Sequence, residues 1–317
     1  MPPSPRLTVL GSLNMDISVA VRRLPAAGET VLGSEAVIAP GGKGANQAVA
    51  AARLTAAVRM IGCTGDDDFG RTARAALAAE GVDASGVRVV AGSATGLALI
   101  TVDDTGENVI TVAQGANGRV GEAEISSALS ADGDTIVLSA EIPADALASA
   151  MAGARAVGLR CLLNLAPAPP GAAQMLAGGV SWLVVNESEA GAVLGRSVAG
   201  LAEAGAAARD LCGLGAVHAV VTAGSAGAAL AGPAGPAGDE AIPAFAVRSV
   251  DSVGAGDAFV AALAVALAAG IPDAEAVRAA CAAGATATTR RGTQDALPRP
   301  HDILAATGFA WPVSAPA

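Results

Sequence analysis

The sequence predicts an α/β fold: a doubly wound, mostly parallel sheet flanked by helices, with a small β-sheet lid. Three observations predict it. From about residue 121 the short apolar runs Thr135–Leu138, Arg160–Leu163, Trp182–Val185 and Ala219–Val221 alternate with helical stretches, the pattern of parallel βαβ units. A run of helix formers, Ala258 to Ala269, follows a turn holding two glycines. Thr95–Val102 and Asn108–Val112 flank Asp103-Asp104-Thr105-Gly106-Glu107 and read as a hairpin outside that alternation.

With 317 residues the chain is long enough for a substantial core. Hydrophobic residues make up 52% and aromatics only 2%, so that core must be built from Ala, Val, Leu and Ile. So few aromatics argue against stacking platforms for nucleic acid. A net charge of −10 disfavours nucleic acid and anionic membrane surfaces as partners. Cys63, Cys161, Cys212 and Cys281 are scattered without C-x-x-C spacing, and read as buried thiols in a reducing compartment. Met1–Arg6 has no apolar leader pattern, and the charge-free run Ala258–Pro272 is short for a membrane span. The expectation is a cytoplasmic protein with one α/β domain over residues 1–317 and lid strands inserted at about 12–39 and 95–117.

Taken in order, Leu7–Leu10 is a buried strand ending at Gly11. Strand alternation then puts Asn14 and Asp16 on one side. They form either an Asx turn or a polar pair aimed at neighbouring sugar hydroxyls, since one carboxylate accepts from two. A second extended stretch is expected at Thr30–Ile38. Pro40-Gly41-Gly42-Lys43-Gly44-Ala45-Asn46-Gln47 leads into a helix at Ala48–Leu54. It lacks the spacing of a nucleotide P-loop, so the N–H of Gly42 and the Asn46 side chain suit a neutral, hydroxyl-rich ligand. Val58–Gly62 reads as a strand. Asp66, Asp67 and Asp68 read as cap and dipole partners of a helix at Thr72–Glu80 rather than as a metal loop.

Polar residues follow several strands of the alternating half: Glu141, Asn164, Asn186 with Glu189, and Thr222. Ligands of such sheets bind beyond the carboxyl ends of the strands. Glu189 either balances a helix dipole or holds Mg²⁺ through water. Thr222-Ala223-Gly224-Ser225-Ala226-Gly227 is a small-residue turn, open enough for a nucleotide's phosphates and ribose. Gly232–Asp239 reads as a Pro/Gly-rich hairpin tip. Ala274–Thr289 is a second helix closed by Arg290-Arg291-Gly292-Thr293. Neither histidine receives a role.

The central stretch is Asp251-Ser252-Val253-Gly254-Ala255-Gly256-Asp257. Glycine lets a ligand approach the backbone closely. The first N–H groups of a helix lack internal partners and sit at the positive end of the macrodipole. Gly254, Ala255 and Gly256 therefore form an anion hole suited to phosphate. Asp257 either caps the helix or acts as a general base on an attacking hydroxyl.

Gly41-Gly42-Lys43-Gly44-Ala45-Asn46 and Asp251 to Asp257 resemble the two signature segments of the PfkB sugar-kinase family. Gly11 to Asp16, Gly28-Glu29-Thr30, Ala45 to Ala51, Cys63 to Asp67, Gly106-Glu107-Asn108 and Gly115-Ala116-Asn117 are similar in order and spacing to its ribose-phosphorylating members. The resemblance covers about residues 7 to 300. It implies ATP-dependent phosphorylation of the 5-hydroxyl of D-ribose with Mg²⁺, and a lid that often clasps a second subunit, hence a homodimer. It implies a sugar site at Asn14, Asp16, Gly42, Lys43, Gly44, Ala45, Asn46 and Glu141, with Asp257 as base. It implies an ATP site at Asn186, Thr222 to Gly227, Gly256 and Cys281, with Glu189 near the metal. It also implies a K⁺ site at Asp251, Val253, Ala287, Arg290, Gly292 and Ala296. Ala296 stands where the family often has Ser, and Cys281 where Asn or His often lies near the adenine. The rivals are a same-family kinase acting on deoxyribose, fructose or a nucleoside, and a non-catalytic sugar- or nucleotide-sensing module. A Rossmann dehydrogenase is disfavoured, because no G-x-G-x-x-G follows the first strand.

Overall fold

The computed structural model describes residues 5–130, 133–233 and 240–313. The chain opens with β1 (Arg6–Leu10), β2 (Asn14–Ala20), β3 (Val37–Gly41), helix α1 (Lys43–Arg53), β4 (Ala57–Gly65), α2 (Asp68–Ala79) and β5 (Asp83–Val90). A hairpin of β6 (Gly96–Val102) and β7 (Asn108–Ala113) leads to α3 (Glu122–Leu129), β8 (Thr135–Ser139), α4 (Ala144–Ala156) and β9 (Arg160–Asn164). Then come α5 (Ala172–Leu176), β10 (Val180–Asn186), α6 (Glu187–Leu194), α7 (Gly200–Gly213), β11 (Ala216–Thr222), β12 (Gly227–Ala231) and β13 (Glu240–Pro243). Helices α8 (Ala255–Ala268), α9 (Asp273–Ala287) and α10 (Pro300–Thr307) complete the described elements.

The main sheet runs β13-β12-β11-β10-β9-β8-β1-β4-β5. From β11 to β5 all pairings are parallel, while β12 and β13 are antiparallel additions. Side chains alternate between two cores. Val9, Leu162, Val184 and Val220 pack with α1, α8 and α9, whereas Leu10, Leu163, Val185 and Val221 pack with α4 and α7. Both faces are covered, which is why these strands read as unbroken apolar runs. Helix α8 is buried from Asp257 to Leu267 and lies against α1 and α9. Its alanines let those neighbours approach on every side, so it shows no polar face.

The second sheet runs β3-β2-β6-β7. Strands β2 and β6 are parallel, and the other two pairings are antiparallel. This is the expected lid, with one correction. The stretch expected from Thr30 becomes a strand only at Val37, because the β2–β3 ladder begins with Ser18 opposite Val37. Strand β5 was not foreseen; Asp83-Ala84-Ser85-Gly86 has little β propensity, and pairing along β4 supplies the order. Two helices, α6 and α7, stand where one was expected, split at Gly195 with φ 67°. Helix α1 starts at Lys43, five residues before the expected Ala48. Strands β12 and β13 flank the expected hairpin tip, whose residues 234–239 lie outside the described set. Among the described residues no helix is long and apolar enough to cross a membrane.

Candidate active site

Five neighbouring strands, β11, β10, β9, β8 and β1, deliver Thr222, Asn186, Asn164, Glu141 and Ser12 at or just past their carboxyl ends. A cleft there is lined by Lys43, Asn164, Asn186, Glu189, Thr222 and Gly256, among others. A larger cavity, lined by Arg22, Arg23, Val31, Leu32 and Asp104, lies among the lid loops and includes none of the expected site residues.

Helix α8 begins at Gly254 in the left-handed region (φ 79°), and that cap has no side chain to bond the first turn. The Ala255 N–H donates weakly to the Ser252 carbonyl (3.3 Å). A Cβ built on Gly256 meets nothing within 4 Å, so this glycine leaves open space at the helix start. Asp257 is 7% exposed. Its carboxylate does not bond its own helix terminus. Instead Asn46 Nδ2 donates to Oδ2 (2.9 Å) and Gln47 Nε2 donates to Oδ1 (3.0 Å). Of the two readings open for Asp257, the geometry departs from a cap.

Helix α1 also starts at a left-handed glycine, Gly42 (φ 89°), whose Cβ would lie 2.7 Å from Asn14 N. Its first N–H groups are occupied. Lys43 N donates to Glu141 Oε2 (3.1 Å), Gly44 N to Ser12 Oγ (3.3 Å) and Ala45 N to the Ser12 carbonyl (2.9 Å). Ser12 Oγ in turn donates to Glu141 Oε2 (2.5 Å). Burial works against the Lys43 ammonium, but Asp257, Glu141, Glu189 and Asp16 outweigh it and raise its pKa.

On the lid side, Asn14 is buried, and its Oδ1 accepts from Asn117 Nδ2 (2.7 Å). Asn117 also accepts from Leu13 N (2.9 Å) through Oδ1. Asp16 lies over Gly41, where a Cβ would fall 2.1 Å from its Oδ2. Burial first, then the charges of Glu141 and Asp257, push the Asp16 carboxyl up to about 6, with Lys43 opposing.

Asn186 and Glu189 form a reciprocal capping box on α6, at 2.8 and 2.9 Å. Glu189 also faces the cleft. Burial raises its pKa, the Asn186 N–H and Lys43 oppose, and Asp257 adds to the rise. Thr222 Oγ1 donates to the Val185 carbonyl (3.4 Å). The turn after it is closed by Ala223 N to the Gly227 carbonyl (2.8 Å), leaving Gly224, Ser225 and Ala226 exposed. Cys281 is buried in the core beside α8, and burial pushes its thiol up to about 12.

Asp251 draws two loops together, accepting from Val253 N (3.0 Å) and Gly292 N (3.2 Å). Ala287 ends α9, the Arg290 side chain pairs with Asp302, and Ala296 is buried. Of the three adjacent acids, Asp67 caps α2 through Gly70 N (2.8 Å) and also accepts from Thr95 N (2.8 Å). Among the described residues, no group of three or more His, Cys, Asp or Glu is placed to hold a metal. Residues that received no role from the sequence but hold the site together are Ser12, Gln47, Asn117 and Gln294, the last donating to Asn46 Oδ1 (3.2 Å). The one sequence signal for them was their place inside or beside the motif segments.

Residues 4–300 match the family model described as pfkB family carbohydrate kinase. The chain is 35% identical over 300 residues to a ribokinase of Haemophilus influenzae, covering 94% of this chain and 97% of the relative. It is 32% identical over 294 residues to a deoxyribokinase of Salmonella typhi, covering 92% and 95%. The structure of Arabidopsis thaliana ribokinase complexed with ribose and ATP superposes with a TM-score of 0.84 at 29% identity, covering 97% of this chain and all of that one.

Proposed function

The chain belongs to the pfkB family of carbohydrate kinases, and from that premise we propose that it transfers the γ-phosphoryl group of ATP to the 5-hydroxyl of D-ribose. The observation that carries this reading is the placement of Asp257. It is a buried carboxylate at an uncapped helix start, beside an open Gly256 and held by two amides of α1. The ribokinases of similar length support the choice of sugar.

In this reading Asn14, Asp16 and Asn46 take the ribose hydroxyls, with Gly42, Lys43, Gly44 and Ala45 framing the sugar. Glu141 and Ser12 hold the start of α1 in place. Asp257 accepts the proton of the 5-hydroxyl as that oxygen attacks phosphorus. The N–H groups of Ala255 to Asp257 and the Lys43 ammonium receive the charge on the transferring group. Asn186 and the turn from Thr222 to Gly227 take the nucleotide, and Cys281 backs its base from the core. Closing the lid excludes water and limits wasteful ATP hydrolysis.

A divalent cation fits at Glu189, a half-buried carboxylate on the cleft wall whose charge burial disfavours. Mg²⁺ held there through water would neutralise phosphate charge. In the same reading K⁺ would be held between the two loops that Asp251 joins, by Asp251, Val253, Ala287, Arg290, Gly292 and Ala296, several through backbone carbonyls; Ala296 brings no hydroxyl. The lid exposes Ile38, Leu99 and Val109 on the face of its sheet opposite Asp16, an apolar face suited to a second copy of the chain.

A second reading takes 2-deoxyribose, favoured by the Salmonella relative. Asp16 argues for the vicinal diol, since it would lose one donor with the deoxy sugar. The test is an ADP-release assay over D-ribose, 2-deoxyribose, fructose and a nucleoside, with and without K⁺. The highest kcat/KM is expected with ribose. Sugar binding with no ADP release under any condition would leave a sensing module instead.

A further inference from the structure

We propose that Gln47 is a positioning residue for Asp257: it fixes Oδ1 of the carboxylate and so assigns Oδ2 as the oxygen that takes the substrate's proton. The proposal rests on the reading of Asp257 as the general base.

Gln47 is 1% exposed. Its Nε2 donates both to Asp257 Oδ1 (3.0 Å) and to Asn164 Oδ1 (2.9 Å). The amide cannot be turned over without setting its own oxygen against two other acceptors, so its orientation is determined by its partners. Asn164 is held in turn by donating from Nδ2 to the Val184 carbonyl (3.3 Å). The base is thereby tied through two amides to the backbone of β10, in the middle of the main sheet.

Gln47 Oε1 is buried and accepts from no protein group. An apolar side chain of the same shape would fill the α1–α8 contact but would donate to neither Asp257 nor Asn164. The protein contacts of the Gln47 amide are the two bonds its nitrogen donates.

The two donors on Asp257 are not equivalent. Asn46 donates to Oδ2, but it is also a proposed sugar ligand, and its Oδ1 is already engaged by Gln294. When sugar enters, the Asn46 amide is the one drawn to it. Gln47 faces only protein and keeps Oδ1 in place. Oδ2 then accepts the proton of the 5-hydroxyl, the oxygen–phosphorus bond forms, and the bond from the γ-phosphorus to the bridging oxygen breaks as ADP leaves. No other reactant is needed.

The test compares Gln47→Met, which keeps shape and removes the donor, in the wild-type and Asp257→Asn backgrounds. Thermal unfolding of the full-length protein serves as the control for folding. In the wild-type background kcat falls on the order of 10- to 10²-fold while KM for ribose and ATP stays in place, since the loss is one of alignment. In the Asp257→Asn background the same change has no further effect, because the two residues act as a unit. Unchanged kcat in a folded Gln47→Met enzyme overturns the proposal, as does an equal loss in both backgrounds. Should Gln47→Met fail to fold, Gln47→Glu sets a second carboxyl against Asp257; wild-type turnover of that variant overturns the proposal and a loss confined to kcat supports it. Wild-type turnover of Asp257→Asn alone overturns the reading of Asp257 as base, and the proposal with it, a result distinct from any obtained with Gln47→Met.

Discussion

Helices α1 and α8 both begin at a glycine in the left-handed region, Gly42 and Gly254, yet their first turns face different partners. At α1, Glu141 and Ser12 occupy the N–H groups of Lys43, Gly44 and Ala45. At α8 there is no side-chain cap, and Gly256 leaves open space. The difference shows that a glycine-rich helix start is not in itself an anion site. What decides is whether a distant residue of the same chain, here Glu141, has already reached the exposed dipoles. One start is closed by side chains, as the proposed site for a neutral sugar requires; the other has only the Ser252 carbonyl on its first N–H and open space at Gly256, as the proposed phosphate site requires.

Asp257→Asn breaks the comparison hardest. Turnover is expected to fall roughly 10²–10⁴-fold with the fold intact, and steady-state kinetics with ribose and ATP measure it. Near-normal turnover would remove Asp257 from the chemistry.

The two glycine starts then separate under alanine. Gly256→Ala suits a helical position and should leave stability equal or higher by up to about 1 kcal/mol. It fills the open space, so kcat/KM for ATP drops on the order of 10²-fold. Gly42→Ala combines a strained φ with a Cβ 2.7 Å from Asn14 N and should lose about 1–3 kcal/mol of stability. Denaturant midpoints alongside kinetics would show whether the two losses separate in this way.

A third prediction concerns pH. Asp16 titrates near 6 because it is buried and sits among other carboxylates. Only its ionised form accepts from two hydroxyls, so kcat/KM for ribose should fall by about tenfold per unit well below pH 6. Asp16→Asn should flatten that limb. The stability term has the opposite sign. A carboxyl raised from its ordinary 3.8 to about 6 favours the fold fully below 3.8, and that contribution is lost as pH rises through about 6. The smallest effect is expected from Ala296→Ser, which adds an oxygen beside the loops gathered by Asp251. K⁺ activation should tighten only by about two- to tenfold, the scale of one hydrogen bond. A K⁺ titration of the ADP-release rate measures it.

Much of the main sheet was legible because strands buried on both faces are written as apolar runs, and their polar followers mark the cleft. The start of α1 was not legible. Gly42-Lys43-Gly44 reads as loop by propensity, but Gly44 is there because a Cβ would lie 2.7 Å from the Gly11 backbone. Close packing, not looseness, demands that glycine. Strand β5 depends on an edge pairing with β4 that its own polar residues do not announce. Gln47 was quoted within a motif and given no role, because its meaning depends on Asp257, 210 positions away. Asn117 likewise matters only once the fold sets it against Leu13 and Asn14.

The alanines of α8, packed against α1 and α9, also limit how this enzyme can be altered. A helix hemmed in on every side offers no free surface on which a neutral substitution can accumulate, and any swelling of a neighbour shifts the whole rod along with the acid at its tip. Remodelling for a new acceptor alcohol therefore belongs to the lid strands and the loops past the sheet edge, where side chains still have room to change.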